Sequence, residues 1–218
     1  MHFTYKNTRE DKKNYYFCYR SSLPQPLTTL YKMKEALKFY KDFPKEGIVF
    51  VDIIPLLQDK KIFAQLIDEI GSRLTAPNIA APEARGFLFS APLMISKPEV
   101  ESIIPIRKSG KLPYNEGDLC DVEIEKEYGS DHLFFRRSDI AAAKATGDEI
   151  HISIIDDLLA TGGTAEGIAH SLMEQKITKD GKEYKVVIDE FIFLVELDFL
   201  HGAERLEKIA PVRSIIHL

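Results

Sequence analysis

The 218-residue chain is 44% apolar and 29% charged, has a formal net charge of −5 and contains no Trp. That is enough apolar sequence for one compact core, and the acidic balance argues against a protein built to coat nucleic acid, which needs a basic stripe. No apolar run reaches the roughly 20 residues of a membrane-spanning helix. Cys18 and Cys120 are too far apart in sequence to suggest a zinc site or a disulfide framework. The opening MHFTYKNTREDKKNYYFCYR lacks the ordered parts of a secretory signal, which predicts a cytoplasmic location.

Residues 1–28 are polar and aromatic and end at Pro24 and Pro26, so they read as an N-terminal extension ahead of a domain over 29–218. Leu30, Met33, Leu37 and Tyr40 have helical spacing and predict a helix that stops near Asp42, before Pro44. DFPKEGIVFVDIIPLL reads as a loop with a short strand. Ile62, Phe63, Leu66, Ile67, Ile70 and Leu74 then predict a helix with Asp59 as its N-cap.

Four apolar runs, Ile79–Ala81, Ile103–Ile106, Ile150–Ile155 and Val186–Val195, read as buried strands with helical stretches between several of them. This pattern predicts an α/β fold with a largely parallel sheet flanked by helices. Residues 110–130 stand apart: Gly110, Pro113, Gly117 and Gly129 are mixed with acidic residues in a stretch long enough to suggest an active-site lid.

IIDDLLATGGTAE, residues 154–166, carries the most chemistry. If the run before it is a parallel strand, Asp156 and Asp157 lie at its carboxyl end, where such sheets bind ligands. The turn at Ala160, Thr161, Gly162, Gly163 and Thr164 then leads into a helix whose free N–H groups favour a phosphate. Two carboxylates would repel that phosphate, so they are expected to accept from sugar hydroxyls or hold a cation beside it. The stretch reads as a cradle for a phosphorylated sugar. No Lys follows the glycines, which argues against a nucleoside triphosphatase loop. Upstream, IRKSGK places Arg107, Lys108 and Lys111 together in an otherwise anionic chain, as a small anion would require.

DFPKEGIVFVDIIPLL, EARGFLFSAPL, IPIRKSGKLP, KEYG, IIDDLLATGGTAEG and FLVEL occur in that order. Over residues 34–218 the chain thereby resembles the type I phosphoribosyltransferases, and among them the adenine-using family. The resemblance implies Mg²⁺-dependent transfer of ribose 5-phosphate from phosphoribosyl pyrophosphate to N9 of adenine, giving AMP and pyrophosphate. It assigns the ribose hydroxyls to Asp156 and Asp157 and the 5-phosphate to residues 160–164. Pyrophosphate falls to Arg85, Arg107, Lys108 and Lys111. Glu127 is to exchange a proton with N7 of the base, with Phe50 stacking on it, the backbone at Val49 and Val51 reading its edge, and Leu158 walling the far side. Mg²⁺ is expected on substrate phosphates and ribose hydroxyls rather than on dedicated protein ligands. A homodimer is implied too. The chain departs from the family in having Val51 where Arg is common and in a longer, more acidic lid.

Two other readings compete. A 6-oxopurine enzyme would want a Lys where this chain has Leu158. A ligand-sensing regulator would need a DNA-binding segment, and residues 1–28 contain no helix-turn-helix pattern.

Overall fold

The structure is a computed structural model that describes residues 25–125 and 130–218. The chain divides into two units, Met1–Gln65 and Leu66–Leu218. Most of the expected N-terminal extension and the proposed proton-transfer residue Glu127 lie outside the described residues.

In the first unit, helix α1 (Gln25–Ala36) is followed by an antiparallel pair, β1 (Lys38–Lys41) and β2 (Val49–Asp52), and a short helix α2 (Ile54–Leu57). The helix expected to run on to Asp42 therefore stops at Ala36. Phe39 and Tyr40 instead pair with Val51 and Phe50 across the ribbon, a long-range preference that local helical spacing does not register. Asp52 Oδ1 accepts from the amide of Ile54 at 2.9 Å and starts α2. Helix α3 (Lys60–Arg73) is capped as expected: Asp59 Oδ1 accepts from the amides of Lys61 and Ile62 at 2.9 and 3.0 Å.

The second unit is built on one sheet. Its parallel strands are β3 (Asn78–Pro82), β4 (Ser102–Lys108), β7 (Glu149–Leu159), β9 (Lys182–Glu196) and β10 (Val212–His217), in the spatial order β10-β9-β7-β3-β4. All four expected apolar strands are present and longer than their apolar runs; β7 continues through Asp156 and Asp157. Central β3 and β7 are nearly buried throughout, as strands covered on both faces require. Helices α4 (Gly86–Ser96), α5 (Arg137–Ala142), α6 (Gly163–Met173) and α7 (Gly202–Leu206) follow the sheet, and Ile104, Ile152, Ile154, Ile168, Leu172 and Phe191 are among the residues of the continuous core. Glu190 is fully buried in that sheet, and its carboxylate accepts from the Thr75 amide at 2.9 Å and from the hydroxyls of Thr75 and Ser153, which offsets the cost of burying it.

The stretch expected to be a lid loop contains regular structure. β5 (Leu119–Glu125) and β6 (Ser130–Arg136) form an antiparallel hairpin, and β6 pairs with β4 at Arg107 and Lys108. Cys120, Val122 and Ile124 point into the core while Asp121 and Glu123 are exposed, the alternation of a strand with one covered face. This strand rests on α6. A Cβ on Gly167 would lie 3.2 Å from the Glu123 carbonyl, and Ser171 Oγ donates to the Asp121 carbonyl at 3.0 Å. A short strand β8 (Ile177–Lys179) pairs with β9. No helix among the described residues is long and apolar enough to cross a membrane.

Candidate active site

Three neighbouring parallel strands, β7, β3 and β4, deliver the predicted anion- and sugar-binding residues at their carboxyl ends. β3 leads into Glu83 and Arg85, β4 ends on Arg107 and Lys108, and β7 ends on Asp156, Asp157 and Leu158. This is the edge at which an open α/β sheet gathers a ligand, because the helices that follow its strands present their N-termini there. Lys111 lies on the exposed turn beyond β4, its amide 3.2 Å from the Lys108 carbonyl, and Gly110 supplies the positive φ of 72° that the turn needs.

Asp156 and Asp157 are adjacent yet inequivalent. Asp156 Oδ1 accepts from the Asp157 amide at 2.8 Å. The Asp157 carboxylate is 5% exposed, with Oδ2 at 2.8 Å from Arg85 Nη1, an ion pair by distance although Oδ2 receives no well-aligned hydrogen bond. Burial raises both carboxyl pKa values. Asp156 is pushed well above the ordinary Asp value and further by its charged neighbour, whereas Arg85 pulls Asp157 part of the way back. Such a pair can accept from ribose hydroxyls or hold a hard cation.

Residues 160–164 turn directly behind the pair. Gly162 has a left-handed φ of 80°, and α6 starts at Gly163. The first bond of that helix is Glu166 N to Gly162 O at 2.9 Å, so the amides of Gly163, Thr164 and Ala165 precede it and have no helical carbonyl to donate to. They form the positive end expected to bind phosphate, with the Thr161 and Thr164 side chains exposed beside them. Gly86 makes the close approach on the other side: a Cβ there would lie 3.0 Å from the Ile155 carbonyl, so the glycine after Arg85 lets α4 begin against β7.

Glu83 escaped the sequence reading. Its carboxylate accepts from Arg107 Nε, and the Arg107 guanidinium also lies over the Phe87 ring, 5.6 Å from its centroid. Burial alone would raise the Glu83 carboxyl, but the hydrogen bond and charge of Arg107, helped by Lys108, outweigh it and leave the pKa below the ordinary value. Glu83 thus fixes where one predicted pyrophosphate ligand points. An acidic residue two positions before an Arg-Gly pair, with an Arg at the end of a later strand, is the signal that could have found it.

Of the residues expected to contact the base, three lie in the first unit and one in the second. Val49, Phe50 and Val51 belong to the first, where Val49 is exposed, Val51 is buried and the Phe50 ring meets Phe43 edge-on at 5.2 Å. Leu158, half-buried, belongs to the second. Among the described residues, the one group with metal-ligand spacing is Glu196 at the end of β9, Asp198 just beyond it and His217 at the end of β10, rather than the acidic pair.

No family model matches the chain. The adenine phosphoribosyltransferase of Maridesulfovibrio salexigens is 40% identical over 189 residues, which cover 85% of this chain and 99% of that relative. The crystal structure of the Thermoanaerobacter pseudethanolicus adenine phosphoribosyltransferase is 38% identical with a TM-score of 0.72, covering 87% of this chain and 99% of that one. The Saccharomyces cerevisiae enzyme, solved with an imino-altritol bisphosphate and adenine, is 31% identical with a TM-score of 0.68 and the same coverage. Fold and site together define a type I phosphoribosyltransferase. The chain belongs to the adenine phosphoribosyltransferase family.

Proposed function

We infer that the groups at the ends of β7, β3 and β4 act together on phosphoribosyl pyrophosphate. The reaction is the family's: the 5-phosphoribosyl group passes to N9 of adenine, and AMP and pyrophosphate leave. The observation that carries this reading is the adjacent Asp156 and Asp157 carboxylates at the carboxyl end of β7, immediately ahead of a glycine turn and a helix N-terminus. Asp156 and Asp157 accept from the two ribose hydroxyls and hold C1 toward the base. The amides and hydroxyls of residues 160–164 bind the 5-phosphate. Arg85, Arg107, Lys108 and Lys111 receive the pyrophosphate as negative charge builds on it. Mg²⁺, held by the phosphates and by the hydroxyls that the aspartates receive, would add its charge to the stabilisation of that leaving group.

Glu127 is assigned the proton exchange at N7, and Val49, Phe50, Val51 and Leu158 the adenine contacts; these roles rest on the sequence match. The stretch 110–130, which contains β5, is assigned to exclude water from the reacting sugar. We take the protein to be a cytoplasmic homodimer. Helix α4 supports self-association: its inner face buries Phe89 and Leu93, while Leu88, Met94 and Ile95 remain 40%, 40% and 89% exposed.

The test is base-dependent pyrophosphate release with adenine, hypoxanthine and guanine compared. Adenine should be strongly preferred, because a site matched to an amino edge leaves unpaired groups when an oxo edge enters. Release with hypoxanthine or guanine at an equal rate would overturn the adenine reading, and no release with any base would overturn the whole. Glu127→Gln should lower turnover by about 10²- to 10⁴-fold while phosphoribosyl pyrophosphate binding changes little.

A further inference from the structure

Behind the phosphate turn lies a second layer. His201 has a left-handed φ of 53° and turns the chain into α7, whose first residue, Gly202, sits against the turn. From that helix Arg205 reaches back over the turn from the side. Its Nε is 2.9 Å from Glu166 Oε2, its Nη1 donates to the Thr161 carbonyl at 3.5 Å, and a Cβ built on Gly163 would lie 3.4 Å from that same Nη1. One guanidinium therefore meets a carbonyl of the turn and a carboxylate in the first turn of α6, and lies over the space that a side chain at Gly163 would fill.

Glu166 explains why a cation belongs there. An acidic residue in the first turn of a helix is favourable to the helix dipole, yet at this helix the same field is needed for an incoming phosphate. An uncompensated Glu166 would compete for it and repel it. Thr161 poses a related problem, since a carbonyl turned toward a phosphate is as unfavourable as an amide turned toward it is favourable. Arg205 meets both with the two-pronged geometry that a guanidinium has and an ammonium lacks.

We infer that Arg205 is a positioning residue for the 5-phosphate: it holds the Thr161 carbonyl toward α7 and neutralises Glu166, so that the amides of the turn face the ligand in a positive field. This rests on the proposed assignment of residues 160–164 to the 5-phosphate. The contribution is to binding, equal in ground and transition states, so it governs KM for phosphoribosyl pyrophosphate and leaves kcat and KM for adenine alone.

The experiment compares wild type, Arg205→Ala, Arg205→Lys, Glu166→Gln and the Arg205→Ala/Glu166→Gln pair by steady-state kinetics, with ribose 5-phosphate binding by calorimetry as the direct probe. Arg205→Ala should raise KM for phosphoribosyl pyrophosphate about tenfold and weaken ribose 5-phosphate by a similar factor, with kcat changed less than about twofold. Arg205→Lys should fall between. Adding Glu166→Gln to Arg205→Ala should recover part of the loss, since the unpaired carboxylate is gone; a residue that only supports the fold would show no such recovery. If Arg205→Ala does not fold, Arg205→Lys carries the test, and an unchanged KM in it overturns the inference. Unchanged KM in Arg205→Ala, equal losses in kcat and KM for adenine, or no recovery in the pair would each overturn it as well. If wild type turns over adenine but ribose 5-phosphate competes with no part of phosphoribosyl pyrophosphate, the phosphate assignment falls and this inference with it; if that assignment holds while Arg205→Ala behaves as wild type, the inference alone fails.

Discussion

Gly202 lies against the carbonyl of Ala160 so closely that a Cβ built on it would sit 2.2 Å from the carbonyl oxygen. The contact is reciprocal, for a Cβ on Gly162 would come within 2.9 Å of the Gly202 carbonyl. The turn at 160–164, proposed to bind the 5-phosphate, is therefore shaped from behind by the chain that follows β9. Gly202→Ala must move backbone rather than a flexible side chain, and overpacking of this kind costs about 1–3 kcal/mol. The expected outcome is a lower Tm together with a raised KM for phosphoribosyl pyrophosphate, checked by thermal unfolding and steady-state kinetics. An alanine variant with wild-type values of both would show that the turn is not held by this contact.

Asp156 should show a conflict between function and stability. Its folded pKa is raised, chiefly by burial and then by Asp157. For an acid raised on folding, the folded state holds its proton more tightly, so stability declines as pH rises from the unfolded pKa to the folded one. Above the folded value the full penalty stands. Asp156→Asn removes that penalty, so its Tm should exceed that of wild type at about pH 8, and the advantage should shrink on acidification and vanish below about pH 3, where the Asp is protonated in both the folded and the unfolded state. The same variant should lose about 10²-fold in kcat/KM, because an amide cannot replace an anionic acceptor on the ribose. Unfolding curves across that pH range and kinetics on one protein measure both. A Tm advantage that grew on acidification would contradict the direction of the shift.

What the sequence disclosed and what it hid divide along a physical line. Strands β3, β4, β7 and β9 were legible because each is an apolar run long enough to be covered on both faces. Asp156 and Asp157 were legible because adjacent carboxylates at the end of such a run have few structural uses. The β5 strand was present as an alternation, with Cys120, Val122 and Ile124 inward, but its acids and the nearby glycines suggested a loop. Tyr40 fitted a helical period while its actual partner was Phe50 in a distant strand. Glu83, Gly202 and Arg205 were hidden for the same reason as the Tyr40–Phe50 pairing: each matters through a residue outside its own local pattern, Arg107, Ala160 and Thr161. Only the closing of the sheet brings these together.

The exposed side of α4 offers a test of assembly. Leu88 and Ile95 lie one helical face apart from the buried Phe89 and Leu93, and Ile95 is 89% exposed. If a second copy covers this face, Ile95→Glu places an unpaired charge in the interface, a change worth several kcal/mol against association. Wild type should sediment as a dimer and the variant as a monomer at the same concentration, with an unchanged far-ultraviolet spectrum. A variant that remains dimeric would exclude this face as the interface.

Glu83 and Arg107 give the most direct test of the pyrophosphate side. Glu83 lies just beyond the end of β3, and its carboxylate takes the Nε of Arg107 at the end of β4, a residue proposed to receive pyrophosphate. An amide at this position keeps the shape but loses the charge that holds the guanidinium, an interaction of about 1.5–3 kcal/mol for a hydrogen bond to a charged group. The freed Arg107 gains attraction for an anion in any orientation and loses the one orientation that receives a departing pyrophosphate. Glu83→Gln should therefore bind pyrophosphate no more weakly than wild type while kcat falls about 10- to 100-fold, a loss confined to the transition state. Because the Glu83 pKa is depressed on folding, its contribution to stability is present above the ordinary Glu pKa and lost as pH falls through the folded value, so the variant's Tm should be lower than that of wild type at neutral pH and the gap should close in acid. Pyrophosphate calorimetry, kcat and unfolding at two pH values decide it: equal kcat would leave Glu83 a spectator, and a parallel fall in pyrophosphate affinity would make it a ligand-binding residue rather than the group that aims Arg107.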